Sequence, residues 1–129
     1  MPIFSQRSLE NLATCDERLQ RVLVEAIKRM DFAVICGHRG QEEQDRAVAE
    51  RRSQTPWPLS RHNALPSLAA DCVPYPVDWG DLTAFDMMAV VIKECASDLG
   101  VELIWGGDWL QFKDRPHFQL TDPWNGNKA

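Results

Sequence analysis

Apolar residues recur along this chain at two different periods, and the change of period marks out its elements. From Leu19, the positions Val22, Leu23, Ala26, Ile27 and Met30 repeat at helical intervals and give one apolar face. Thr14-Cys15-Asp16-Glu17 before them has the spacing of a capping box, so the pattern predicts a core-packing helix. A second helical pattern begins at Phe85 and runs through Met88, Ala89, Ile92, Ala96 and Leu99 to Gly100, a residue suited to closing a helix. Val91 and Cys95 widen its apolar face, which places this helix at the centre of the core.

Other apolar runs are short and partly β-branched, which suits strands: Phe32 to Cys36, Leu68 to Val73 and Glu102 to Trp105. Trp109 to Phe112 reads as a further short strand, and the apolar segment after Pro116 as another. Gln41 to Arg52 is polar apart from small residues such as Ala47 and Ala49, which predicts a shallow surface helix. Ser53 to His62 holds Pro56, Trp57 and Pro58 and is expected to be a loop, because prolines interrupt both helix and ladder. The tail after Thr121, with Pro123, Gly126 and Asn127, is expected to be loose. Helices interrupted by short strands, with hairpin-like spacing near the C-terminus, favour an α+β fold with a small, largely antiparallel sheet packed with helices. A parallel βαβ arrangement is the alternative.

The chain of 129 residues reads as one domain over 1–129, long enough to bury a core without staples. Its 14 basic and 19 acidic residues give a net charge of −5, with no basic field for phosphates, so no nucleic-acid partner is expected. The N-terminus lacks a signal peptide's basic end and apolar run, and no segment approaches the ~18 apolar residues of a membrane span. The expectation is therefore a cytosolic protein without membrane insertion, and a monomer. Cys15, Cys36, Cys72 and Cys95 are scattered with no CxxC pair, which disfavours a zinc knuckle. All four read as small core residues, and Cys72 in a strand would face away from Asp71.

The candidate chemistry lies in Lys113-Asp114-Arg115-Pro116-His117-Phe118, where a carboxylate and an imidazole stand three residues apart just before a strand. Upstream, Ser60-Arg61-His62-Asn63 and Ala69-Ala70-Asp71 supply a second imidazole and a second carboxylate. Two histidines and one carboxylate, here His62, His117 and Asp71, make a zinc site with an open fourth position, the arrangement of catalytic zinc. Asp114 is then left over as a base. Taken singly, each histidine is as readily an ordinary surface or core residue, and Arg39 a surface ion pair with Glu42 or Glu43. Ser60 and Asn63 suit turn formation. Trp57, Trp105 and Trp109 could floor a groove or simply pack around Gly106-Gly107. Asp108 could orient a ligand histidine.

These residues also fall in an ordered pattern: Gly37-His38-Arg39 followed by Gln44; Trp57-Pro58-x-Ser60-x-His62-Asn63 running to Ala69-x-Asp71; Trp105-Gly106-Gly107-Asp108-Trp109; and Asp114-x-Pro116-His117-Phe118. From about Ser8 to Leu120 the pattern resembles the VanY-like zinc D-alanyl-D-alanine carboxypeptidases, and among them it is most similar to phage endolysins that cleave the L-alanyl-D-glutamate bond of peptidoglycan. The resemblance implies the small α+β fold shared with the Hedgehog signalling domain. It implies His62, Asp71 and His117 as zinc ligands, Asp114 as catalytic acid/base, and Arg39 as the arginine that steadies substrate and oxyanion. Ser60, Trp105, Trp109 and His38 are the candidate substrate contacts. Two departures stand out: the loop between His62 and Asp71 is longer than usual and holds Pro66-Ser67, and His38 replaces a frequent tyrosine.

The function expected is hydrolysis of the peptidoglycan stem peptide at L-Ala–D-Glu by a lysis enzyme that reaches the wall through a membrane hole made by another protein. A D,D-carboxypeptidase or dipeptidase on the same site, and a non-catalytic wall-binding module, are the alternatives.

Overall fold

The computed structural model describes residues 2–126; Met1 and positions 127–129, including the Asn127 of the expected tail, lie outside them. The elements in order are α1 (Gln6–Leu12), α2 (Glu17–Ile27), β1 (Phe32–Cys36), α3 (Gln41–Ala49), β2 (Ala69–Pro74), α4 (Leu82–Asp98), β3 (Leu103–Trp105) and β4 (His117–Leu120). The strands form one sheet in the order β1-β2-β4-β3, and every pairing is antiparallel. The expected α+β class with an antiparallel sheet is thus the observed one, and the parallel alternative is not.

The core lies on one face of this sheet. Leu19, Val22, Leu23, Ala26 and Ile27 of α2 and Phe85, Met88, Ala89, Ile92, Cys95 and Ala96 of α4 are buried against Ala70 and Cys72 of β2 and Phe118 and Leu120 of β4. Strand alternation turns the intervening residues, Asp71, His117 and Gln119, to the opposite face. That face carries the site.

Several local readings change. The cap of α2 is Asp16, whose side chain accepts from the Arg18 backbone N–H, and not Thr14. Thr14 Oγ1 instead donates to Asn11 O. A short helix not expected from the sequence, α1, lies along β1: Ser8 Oγ accepts from Val34 N at 3.0 Å, and Asn11 Nδ2 donates to Val34 O at 2.8 Å. These two side chains satisfy backbone groups that an edge strand leaves open. Trp109 to Phe112 is not a strand. Phe112 has a positive φ of 50°, and Lys113 Nζ donates to the carbonyls of Gly107 and Trp109, folding the segment into turns. The tail is docked as far as it is described: Trp124 Nε1 donates to Pro58 O, and Asp122 pairs with Arg18.

β1 contains a bulge. Val34 opposes Cys72, but Cys36 opposes Asp71, so two steps on β1 match one on β2. The extra residue is Ile35, and it breaks the alternation that would have sent Cys36 to the core with Val34. Cys36 is half-buried, while Cys15, Cys72 and Cys95 are buried. Only those three follow the core reading.

Candidate metal centre and substrate cleft

Register builds the site's first row. Asp71 is opposite Cys36 on one side and His117 on the other, so three strands bring these side chains side by side. His62 comes from a 3-10 turn over Arg61–Asn63 that is held by a reciprocal cap: Ser60 Oγ accepts from His62 N, and Asn63 Oδ1 accepts from Ser60 N. The backbone of this turn is tied to the β1–α3 loop, with Arg39 N donating to His62 O at 2.7 Å.

Both imidazoles have their outer nitrogen held and their inner nitrogen on Asp71. His62 Nδ1 donates to Gly37 O at 2.7 Å, and its Nε2 lies 3.2 Å from Asp71 Oδ1. His117 Nε2 donates to Gln119 Oε1 at 2.8 Å, and its Nδ1 lies 3.2 Å from the same Asp71 oxygen. Because a carbonyl oxygen can only accept, each outer nitrogen carries a proton, and the inner one is the nitrogen that can ligate once its own proton is displaced, the way ligating histidines are oriented. Ligand atoms of Cys36, His62 and Asp71 lie within 4.8 Å of one another, and so do those of Asp71, Asp114 and His117. The expected set of His62, Asp71 and His117 is divided between these two groups, with Asp71 common to both.

The charges follow from this closeness. Burial opposes charge on His62, yet Asp71 beside it carries the imidazole pKa up to about 10. Burial also pushes Asp71 upward, but His62 and His117 hold it well below the usual carboxylate range. Asp71 is therefore ionised, the form a cation requires. Asp114 behaves oppositely: burial and then the nearby Asp71 charge raise its pKa, against the pull of His117, His62 and Arg39. Its Oδ2 is 4.0 Å from His117 Nδ1.

Asp114 is positioned by backbone. Asp114 N donates to Gly106 O at 3.0 Å, and His117 N donates to Asp114 O at 3.1 Å. A side chain at Gly106 would collide with the Asp114 carbonyl, so glycine permits this approach.

Arg39 does not pair with Glu42 or Glu43. Its Nη2 is 3.5 Å from Asp71 Oδ2 and 3.6 Å from Cys36 Sγ, and its Nη1 donates to Gln44 Oε1. Cys36 Sγ also sits 3.7 Å from His62 Nδ1. Arg39, His62 and Asp71 open onto a cleft of about 580 Å³ whose walls include Ser53, Thr55, Ser60, Trp79, Trp109 and Phe112. Trp109 packs near the His117 ring, with centroids 5.3 Å apart.

The other expected contacts are placed differently. Trp105 is buried against Phe118 and donates from Nε1 to Arg115 O, away from the cleft lining. His38 turns its Nδ1 to Ala64 O, and neither it nor Trp57 lines the cleft. Ser60 lines it, but its hydroxyl is engaged in the cap. Asp108 pairs with Lys93 at 2.6 Å and orients no histidine. The residue that orients His117 is Gln119, which the sequence reading passed over. Its signal was available: two residues on from a ligand candidate in a strand, it must share the same face. Cys72 is fully buried, with its thiol pKa pushed well up by burial, which excludes it as a nucleophile.

The sequence profile of the phage L-alanyl-D-glutamate peptidase family matches residues 2–122. This chain belongs to that family. It is 30% identical over 111 residues to another such protein, the L-alanyl-D-glutamate peptidase of Escherichia phage T5, an alignment that covers 82% of this chain and 80% of that one. The crystal structure of the L-Ala D-Glu endopeptidase ChiX of Serratia marcescens superposes with a TM-score of 0.79 at 36% identity, over 92% of this chain and 90% of that one. The L-alanyl-D-glutamate peptidase fold thus supplies the cleft just described.

Proposed function

We propose that this family member hydrolyses the L-Ala–D-Glu bond of the peptidoglycan stem peptide, with zinc held by His62, Asp71 and His117. The donor chemistry fits: two imidazoles with fixed tautomers and one ionised carboxylate are a catalytic zinc set that leaves a fourth position open. Zinc, when bound, supplies a Lewis acid that makes water a competent nucleophile at neutral pH.

The protein's own groups do the rest. Asp114 takes the proton that the attacking water loses and returns it to the leaving amine, so the peptide C–N bond breaks with no net change of proton count on the enzyme. Burial and the nearby Asp71 charge raise its pKa, which makes the protonated form easier to reach for the second half of that exchange. Arg39 offers its guanidinium to the negative charge that develops on the scissile carbonyl oxygen. Trp109 walls the His117 side of the cleft.

The observation that carries this reading is the placement of Asp114, which stands in the cleft beside His117 without being needed to complete the histidine and Asp71 set. The enzyme acts as a monomer and reaches the wall through a membrane opening made by another protein. Among the described residues no helix is long and apolar enough to cross a membrane.

The test is digestion of purified wall material, with the new termini identified by mass spectrometry and metal measured on the same protein. New N-terminal D-Glu is expected, at about one zinc per chain. Released D-Ala would instead make the chain a carboxypeptidase, and full zinc occupancy in both His62→Ala and His117→Ala would overturn the ligand assignment.

A further inference from the structure

Gln44, on α3, is wholly buried, with 0% exposure, in an otherwise polar surface helix. Its amide uses all of its hydrogen-bonding capacity. Oε1 accepts from Arg39 Nη1 and from Asn63 Nδ2, both at 3.1 Å. Nε2 donates to Ser53 Oγ at 3.1 Å and to Thr55 O at 2.6 Å. The orientation is set by chemistry, because a guanidinium can only donate and a backbone carbonyl can only accept. A glutamate here would turn an oxygen toward Thr55 O, and a methionine would offer neither an acceptor to Arg39 Nη1 nor a donor to Thr55 O. Glutamine meets both sides.

The four partners belong to three separate parts of the cleft. Arg39 is the proposed oxyanion group; Asn63 closes the cap of the turn that carries His62; Ser53 and Thr55 form a stretch of cleft wall. No backbone pairing joins the Arg39 guanidinium to that wall, and the Gln44 amide bridges them from inside the protein. Arg39 is also drawn toward Asp71 Oδ2. An anchor on Nη1 opposes that pull and keeps the guanidinium from collapsing onto the carboxylate.

We propose that Gln44 is a positioning residue: it holds the Arg39 guanidinium in register with the Ser53–Thr55 wall, so that its contribution to turnover passes through Arg39. The proposal rests on the role given to Arg39 above. Displacing a charge-stabilising group by about 1 Å can cost on the order of a hundredfold in rate. Gln44→Met and Gln44→Asn, which remove or withdraw the acceptor, are therefore expected to lower kcat by roughly tenfold to a hundredfold.

The deciding experiment is a double-mutant cycle on a soluble stem peptide, with kcat, KM, zinc content and thermal unfolding measured for every variant. In the Arg39→Ala background, either Gln44 substitution should change kcat by no more than about twofold. Losses that instead multiply, with Arg39→Ala itself impaired, would overturn the Gln44 proposal and leave the Arg39 reading standing. An Arg39→Ala variant with wild-type kcat would overturn the Arg39 reading instead. Gln44→Glu adds a second readout. It keeps an acceptor for Arg39 and Asn63 but sets an oxygen against Thr55 O, so it should turn over faster than Gln44→Met while melting lower. Activities that simply follow the melting temperatures would show a structural residue and nothing more.

Discussion

His117 Nε2 donates to Gln119 Oε1 across 2.8 Å, from one residue to the next but one on the same strand. The bond fixes both the ring's rotation and its tautomer, and so decides that Nδ1 is the nitrogen turned to Asp71. Groups that orient a ligating histidine are worth about tenfold to a hundredfold in metal affinity. Gln119→Leu should therefore fold and weaken zinc binding by about that factor, measured by competition with a chelator. Unchanged affinity would show that packing against Trp109 alone orients the ring.

Asp114 gives a prediction with the opposite signature. Asp114→Asn keeps the shape and should leave zinc stoichiometry intact, while hydrolysis falls by roughly a hundredfold to ten-thousandfold as the proton carrier is lost. Lost zinc would make Asp114 a ligand and reopen the part played by Asp71. An unchanged rate would place the proton carrier elsewhere.

The same carboxylate can be disturbed through the backbone. A methyl group at Gly106 meets the Asp114 carbonyl, so Gly106→Ala must push the 113–116 segment outward. Turnover should drop by about tenfold or more while zinc stays bound, since His62 and the ladder pairs from Asp71–His117 onward lie outside that segment. Wild-type turnover in Gly106→Ala would mean that Asp114 reaches its place without this contact.

Much of this was legible beforehand, and the exceptions have physical causes. Leu19 to Ile27 and Phe85 to Ala96 are long periodic faces, and such faces are hard to misread. α1 has only seven residues and little apolar periodicity, with Leu9 about half exposed, so nothing in its composition announces a helix that exists to pair with β1. The segment Trp109 to Phe112 is apolar enough for a strand, but Lys113 claims the Trp109 carbonyl together with that of Gly107. Of the site, the histidines and aspartates were visible because chemistry restricts which residues can serve. Trp105 and His38 were misplaced because an aromatic ring beside a motif looks the same whether it faces core or cleft. Gln44 entered the sequence reading only as part of the ordered pattern and Gln119 not at all, because what each amide bonds to is fixed only once its partners have positions.

A prediction about stability concerns Arg18, which forks onto Asp16 through Nε and Nη2 and onto Asp122 through Nη1 and Nη2, all between 2.9 and 3.1 Å. Hydrogen bonds from Arg18 lower the pKa of both carboxyls. A depressed folded-state pKa contributes stability that is present above the unfolded value near 4 and is lost as pH falls through the folded one. Arg18 is over a third exposed, so screening limits the effect. Arg18→Gln should lower the melting temperature by about 2–4 °C at pH 7, and the gap from wild type should close as pH falls through the depressed folded-state pKa values of Asp16 and Asp122. A gap that persists at low pH would assign the loss to packing.

The bulge in β1 makes this family member sensitive to the number of residues in that strand more than to their identity. Ile35 is nearly half exposed on the cleft side, and many side chains would fit there. Deleting it is a different matter. Cys36 would then follow Val34 directly and pair regularly with Asp71, and the local bend that the bulge gives β1 just before the Gly37 carbonyl that anchors His62 would be lost. Exchange at position 35 is a change of surface, whereas a one-residue deletion there straightens the strand where it meets the metal centre, with every candidate ligand still present in the sequence.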